Sequence, residues 1–270
     1  MPELPEVETI ANGLNKRVAG DRIDSVWVGS KPEPLKSTTA EISATLEGAQ
    51  VERVRRVGKH IVFDLSLGKP GGGGQWIVHL GMTGKMLVAT PETEIAKHTH
   101  LVAKLASGRE LRFVDPRRFG RLEVRQAGFS GPGVEPLKIS AEEFARLFHG
   151  SKAPVKAALL NQKLLHGVGN IYADEALFRA HIRPRRRANT LTRSELRKLH
   201  VALQKVLRLA IAAGGSSISD YVDADGEAGF FQIQHRAYGR EGKPCLNCKT
   251  PIKKIVVGGR GTHYCPKCQK

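Results

Sequence analysis

Proline stands at position 2 of this 270-residue sequence, with glutamates at positions 3 and 6. Removal of Met1 would leave a secondary amine beside two carboxylates. An α-amino group titrates near 7.7–8.0 and a lysine near 10.4, so about a quarter of such an amine is unprotonated at about pH 7.4, against ~0.1% of a lysine. The neutral amine could attack an aldehyde carbon and form an iminium. Glu3 is placed to act as general acid or base, and Glu6, one turn on, to orient either group. Pro and Glu are also ordinary residues of a first helical turn, so residue type alone leaves both readings open.

The second chemical feature lies at the other end of the sequence, where Cys245-x-x-Cys248 and Cys265-x-x-Cys268 are separated by sixteen residues. Two short chelating pairs at this spacing suit tetrahedral zinc on two turns of one hairpin, with local disulfides or free thiols as the alternative. Four sulfurs fill the coordination sphere, so the metal would hold a fold and not catalyse. Gly258-Gly-Arg-Gly261 between the pairs puts Arg260 at a hairpin tip. From Gly239 to Lys270 eight Lys/Arg face one acid, Glu241, which fits either a phosphate-binding surface or a solvated basic face.

Lys+Arg 43 against Asp+Glu 26 gives a net charge of +17, an excess that points to a polyanionic partner. A hydrophobic content of 40% is enough to build cores and argues against disorder. The acidic start MPELPEVE does not read as a signal peptide, and no apolar run approaches the roughly 18 residues of a membrane span. With cysteines confined to one cluster, a cytosolic protein is expected.

The elements that must position these groups follow from periodicity. Val7, Ile10, Ala11 and Leu14 predict an N-terminal helix. Short apolar runs such as Ile61–Phe63 and Trp76–Val78 predict strands from Asp21 to about Val124, hence a β-sandwich or barrel, with Gly71–Gly74 as a hairpin loop. Gly131–Pro136 is dense in breakers and predicts a domain boundary. Helices are predicted at Ala141–His149, Val155–Leu160, Ile171–Ala180 and Thr192–Ala213. Gly167-Val-Gly-Asn170 would form a tight turn between a helix ending near Leu165 and one starting near Ile171, either a plain αα-turn or a place where helix amides face a phosphate. The basic cluster Arg183–Arg187 is too short to carry a reading alone.

Quoted in order, MPELPEVET (1–9), GKH (58–60), HLGMTGKM (79–86), KHTH (97–100), DPRRFG (115–120), GVGNIYADEALF (167–178), YGR (238–240) and GRGTHYCPKCQ (259–269) run from end to end of the sequence. The chain resembles the formamidopyrimidine-DNA glycosylases, and its PELPE start, as opposed to PEGPE, looks like that branch and not the related endonuclease VIII branch. The resemblance implies an α+β multidomain fold. Its parts would be an N-terminal β-sandwich with an N-terminal helix (2–130), a linker (131–137), a helix-two-turn-helix domain with a lesion-capping loop (138–232) and a four-cysteine zinc finger (236–270). Both chain ends would meet in the cleft between the domains.

The same resemblance implies a bifunctional glycosylase and lyase that excises oxidised purines from duplex DNA, with one structural zinc and neither a redox cofactor nor ATP. A monomeric bacterial enzyme of the cytoplasm, associated with the nucleoid and not with a membrane, would follow. Pro2 would be the Schiff-base nucleophile and Glu3 the acid/base group, with Glu6 beside it. Lys59 would assist β-elimination and Arg260 would grip the lesion phosphate. Met82, Arg117 and Phe119 would fill the gap left by an extruded base. His98, Arg117, Lys152, Lys156, Asn170 and Tyr238 would contact phosphates, with Lys152 in the loosest local match. Ser216–Phe231, containing Gly226 and Gly229, resembles the mobile lid. The Gly71–Gly74 insertion, Gln232–Ala237 and Asp225–Glu227 depart from the pattern. Charge and cysteines alone would equally suit a non-catalytic zinc-ribbon binder of nucleic acid, and Pro2-Glu3 separates that reading from the enzyme. A pyrimidine-preferring relative of the endonuclease VIII type is the third reading, opposed by Leu4 and the complete DPRRFG.

Overall fold

A computed structural model describes residues 1–68, 73–126, 128–216 and 229–270. The chain divides into two compact units, Met1–Ser130 with Gly214–Phe230, and Gly131–Ala213 with Phe231–Lys270.

The first unit begins with helix α1 (Leu4–Val18), opened by the capping-box pair Glu3 and Glu6 with Pro5 in the first turn. Its buried face includes Val7, Ile10, Ala11 and Leu14, the stripe read from the sequence. Eight strands follow: β1 (Ile23–Val28), β2 (Gln50–Val57), β3 (His60–Ser66), β4 (Gly73–His79), β5 (Lys85–Ala89), β6 (Thr99–Leu105), β7 (Glu110–Val114) and β8 (Arg121–Arg125). They form two antiparallel sheets ordered β1-β6-β7-β5 and β2-β3-β4-β8. One apolar core joins both sheets and α1, with Phe63 stacked on its cross-strand partner Trp76 at 4.7 Å between ring centroids.

Two local readings of this unit are corrected. A second helix, α2 (Thr39–Leu46), interrupts the strand region, started by a Thr38/Glu41 capping box. Of the Gly71–Gly74 run, Gly73 and Gly74 belong to β4, paired with Ser66 and Leu65, because a ladder of backbone bonds needs no side chain; Gly71 and Gly72 lie outside the described residues.

The second unit contains α3 (Ala141–Phe148), α4 (Val155–Leu160), α5 (Asn170–Arg179) and α6 (Arg193–Ala212). Helix α4 ends at Leu160 as its periodicity predicts, so the turn before α5 starts at Asn161 and not near Leu165. Gln162 takes over the freed backbone groups, donating to the carbonyls of Leu160 and Val168 at 2.8 Å each and accepting from the Gly167 amide at 3.0 Å. A hairpin of β9 (Lys253–Val257) and β10 (Arg260–Tyr264) closes the unit. Its two-residue turn, Gly258-Gly259, has φ of +57° and +74°, the left-handed pair that a tight hairpin requires and that glycine adopts without penalty.

Of the described residues near the end of α6, Gly214–Ser216, Gly229 and Phe230 group with the first unit, where the Ser216 amide donates to Glu6 Oε1 at 2.8 Å. Most of the expected lid, 217–228, including Gly226 and Asp225–Glu227, lies outside the described residues. Among the described residues no helix is long and apolar enough to cross a membrane.

Candidate functional site

Pro2 is buried at the head of α1, beside the buried carboxylates Glu3 and Glu6. The Glu3 amide donates to Glu6 Oε2 at 2.8 Å, so Glu6 fixes the backbone that carries both Pro2 and Glu3. Lys59 sits in the β2–β3 turn and is 7% exposed, an unusual burial for lysine. Arg56 ties that turn to the helix: its Nε lies 2.5 Å from Glu8 Oε2, and its Nη1 donates to the Gly58 carbonyl at 3.2 Å. Neither Arg56 nor Glu8 carried a sequence signal, because their pairing depends on how α1 lies against β2.

A second cluster is organised by Asp115, which is fully buried at the end of β7. Its carboxylate accepts from Thr83 Oγ1 at 2.5 Å and from the amides of Arg117 at 3.2 Å and Gly120 at 2.7 Å. One side chain therefore fixes both the β4–β5 turn, which presents Met82, and the β7–β8 turn, which presents Arg117 and Phe119. Met82 and Phe119 are 43% and 55% exposed, out of the core where apolar side chains usually go. The Arg117 guanidinium stands 4.9 Å over the Phe119 ring. Gly81 lets the turns meet, since a Cβ there would come within 2.5 Å of the Phe119 carbonyl carbon. His98 is exposed at φ +101°, and its carbonyl accepts from the Asp115 amide at 3.0 Å. The preceding loop is held by Arg112, buried against Glu110 at 2.6 Å, which donates to the carbonyls of Thr90, Thr93 and Glu94.

In the second unit, Asp174 and Glu175 of α5 each hold one segment. Asp174 accepts from the His263 amide at 2.8 Å and pairs with Lys156. Lys156 Nζ also donates to the Gly261 carbonyl at 2.9 Å and to Thr262 Oγ1 at 2.8 Å. Expected at a phosphate, Lys156 is fully buried and its ammonium is engaged by three protein oxygens, so its place is inside the hairpin's support. Asn170, at the start of α5, donates to the same Gly261 carbonyl at 3.1 Å. The hairpin that these contacts brace presents Arg260, which is exposed. Glu175 Oε1 accepts from the amides of Arg236, Ala237 and Tyr238 at 2.9, 2.8 and 3.0 Å, fixing the backbone under Tyr238. Burial raises the Glu175 pKa, and those three amides pull it back. Lys152 is exposed before α4.

The four cysteine sulfurs lie within 4.8 Å of one another. Cys245 and Cys268 are 3.9 Å apart and Cys248 and Cys265 3.5 Å, far from a disulfide bond and close to the edge of about 3.8 Å expected for a ZnS4 tetrahedron with Zn–S of about 2.3 Å. The donor set fits one structural zinc, held by Cys245, Cys248, Cys265 and Cys268. Gln269, fully buried, accepts from the Cys265 amide at 2.8 Å and donates to the Ile182 carbonyl at 2.9 Å, tethering the metal loop to the turn after α5.

A helix-headed β-sandwich, a helical module and a four-cysteine ribbon, with a proline and buried carboxylates at the head of α1, define the class of DNA repair glycosylases that use a zinc finger. Family models for the formamidopyrimidine-DNA glycosylase N-terminal domain, its H2TH domain, and the zinc finger found in these enzymes and in isoleucyl-tRNA synthetase match residues 1–122, 132–222 and 242–270. The chain belongs to the formamidopyrimidine-DNA glycosylase family. It is 45% identical to the enzyme of Solibacter usitatus and 43% identical to that of Desulfitobacterium hafniense, in both cases over 100% of each chain. The crystal structure of the MutM (Fpg) protein of Thermus thermophilus matches with a TM-score of 0.86 at 43% identity, over 99% of this chain and 98% of that one. The Lactococcus lactis enzyme in complex with DNA containing an abasic site matches with a TM-score of 0.88 at 35% identity over 99% of both chains.

Proposed function

We propose that this chain excises 8-oxoguanine and formamidopyrimidines from duplex DNA and then cleaves the strand by β,δ-elimination. The observation that carries the reading is the buried start of α1, where Pro2 adjoins Glu3 and the Glu3 amide is pinned by Glu6. After removal of Met1 the Pro2 nitrogen attacks C1′ of the damaged nucleotide. The C–N bond to the enzyme forms as the glycosidic bond breaks, and the base departs with a proton supplied by an acid. Glu3 exchanges protons with the opening sugar, giving an iminium on Pro2. The positive end of α1 favours the neutral, nucleophilic amine.

Loss of a C2′ proton then expels the 3′ phosphate, with Lys59 assisting, and a second elimination expels the 5′ phosphate, with Arg260 holding it. Met82, Arg117 and Phe119 occupy the space vacated by the flipped base. His98, Arg117, Lys152, Asn170 and Tyr238 hold backbone phosphates, and zinc keeps the ribbon folded. The exposed Met82 and Phe119, against a fully buried Asp115, support the intercalating role.

Borohydride trapping on a duplex carrying 8-oxoguanine opposite cytosine tests the reading. A covalent adduct is expected from protein lacking Met1. Absence of an adduct with the wild type, or equal trapping by Pro2→Gly with Met1 retained, overturns it.

A further inference from the structure

The second unit carries a groove that the chemistry above does not use. It has a volume of about 800 Å³ and runs between α6, the C-terminal end of α5 and the metal loop near Asn247. A smaller hollow of about 480 Å³ continues it, the two sharing Arg179, Lys205 and Arg236. Among the described lining residues of both there is no Asp or Glu.

Helix α6 supplies the wall. Lys198, Val201, Lys205 and Leu209 fall at i, i+3, i+7 and i+11, one outward stripe of alternating cation and aliphatic side chain. Val201 is 59% exposed, and Ile233 and Leu246 across the hollow are 80% and 48% exposed. A merely solvated helix face interleaves acids with its bases. Here α6 holds five Lys/Arg and one acid, Glu195. That acid is taken by Arg186 at 2.5 Å and accepts from Thr192, so Lys198 gains no counter-ion from it. Lys205 has Val201, Ala202, Arg208 and Leu209 as its three- and four-residue neighbours.

Cations around an apolar floor ask for a ligand with both characters. Duplex phosphates would satisfy the rim and leave the floor wet. Single strands bind by stacking on aromatic faces, and Phe178, the aromatic residue of the larger groove, is 1% exposed. The groove also lies at the end of α5 opposite Asn170, about 15 Å along a ten-residue helix. We propose that it is a docking site for an acidic protein segment that ends in bulky apolar residues, bound while DNA occupies the Asn170 and Arg260 end. Aspartates would sit against Lys198, Lys205 and Arg236, and the apolar end would cover Val201 and Ile233.

The test uses the full zinc-loaded chain and a fluorescein-labelled peptide of four aspartates followed by Leu-Leu-Phe, read by fluorescence anisotropy near physiological salt. Saturable binding is expected, weakened at least about tenfold by the double variant Lys198→Glu with Lys205→Glu. Serines in place of Leu-Leu-Phe are expected to weaken it at least about fivefold, since each buried apolar side chain contributes. A saturating abasic-site duplex should leave the peptide bound, and the double variant should keep its duplex affinity within about threefold because salt screens distant charges. Displacement of the peptide by duplex, parallel loss of duplex affinity in the variant, equal binding of the all-serine peptide, or no binding each overturns the proposal.

Discussion

Lys156 Nζ lies 2.7 Å from Asp174 Oδ1, and neither side chain is exposed to solvent. The pair joins α4 to α5 and, through Gly261 and Thr262, fixes the hairpin below Arg260. Removing one partner of a buried pair strands the other charge, at a cost of about 3–5 kcal/mol. Lys156→Ala is expected to lose that much stability in urea titration of the zinc-loaded chain. Salt dependence adds a sharper contrast. Lys152→Ala should lower the slope of log Kd against log salt by about 1, and Lys156→Met, once its folded fraction is accounted for, should leave the slope unchanged.

Asp115→Ala frees the buried Gly120 amide, the half-buried Arg117 amide and the Thr83 hydroxyl at once. Each unpaired buried group costs about 1–3 kcal/mol, and the turns bearing Met82, Arg117 and Phe119 lose their common anchor. Excision of 8-oxoguanine is expected to fall at least about tenfold, because a base must first be extruded and its gap filled. Strand cleavage at a preformed abasic site should fall far less. Parallel kinetics on the two duplexes read the difference, and equal losses would mean that Asp115 serves only the fold.

Burial holds the His235 ring at a pKa of about 4 in the folded chain, with Arg179 adding repulsion and the Tyr238 backbone opposing both. The unfolded value is near 6.5, so between about 4 and 6.5 the unfolded chain binds the extra proton. The stability contributed by the neutral ring is full above about 6.5 and is lost as pH falls towards 4, by roughly 2–3 kcal/mol. His235→Phe is expected to flatten that part of the stability–pH curve, measured by denaturant titration at half-unit steps.

Zinc removal should act on the second unit alone. Both tryptophans, Trp27 and Trp76, lie in the first unit, so their emission reports that unit while duplex affinity reports the ribbon. Chelation, or Cys248→Ser, is expected to abolish duplex binding with tryptophan emission unchanged. Retained affinity after metal loss would show that the ribbon does not contribute.

The helix stripes of α1 and α6, the β-alternation, the chelating cysteine spacing and the proline beside Glu3 were all legible in the sequence, because each rests on contacts within a few residues. Helix α2 carries a local signal too, its Thr38-x-x-Glu41 box, but eight residues between strands are too few for a helical period to stand out. What tertiary structure alone decided is where charge is buried. Lys156 reads locally as one more cation, and becomes a strut only because Asp174 and the hairpin backbone, 105 residues distant at Gly261, converge on its ammonium. Asp115 likewise gains its three partners from two separate turns. Ligand chemistry is written in residue type and spacing. The cost or benefit of a charge depends on its dielectric surroundings, and packing of distant segments sets those.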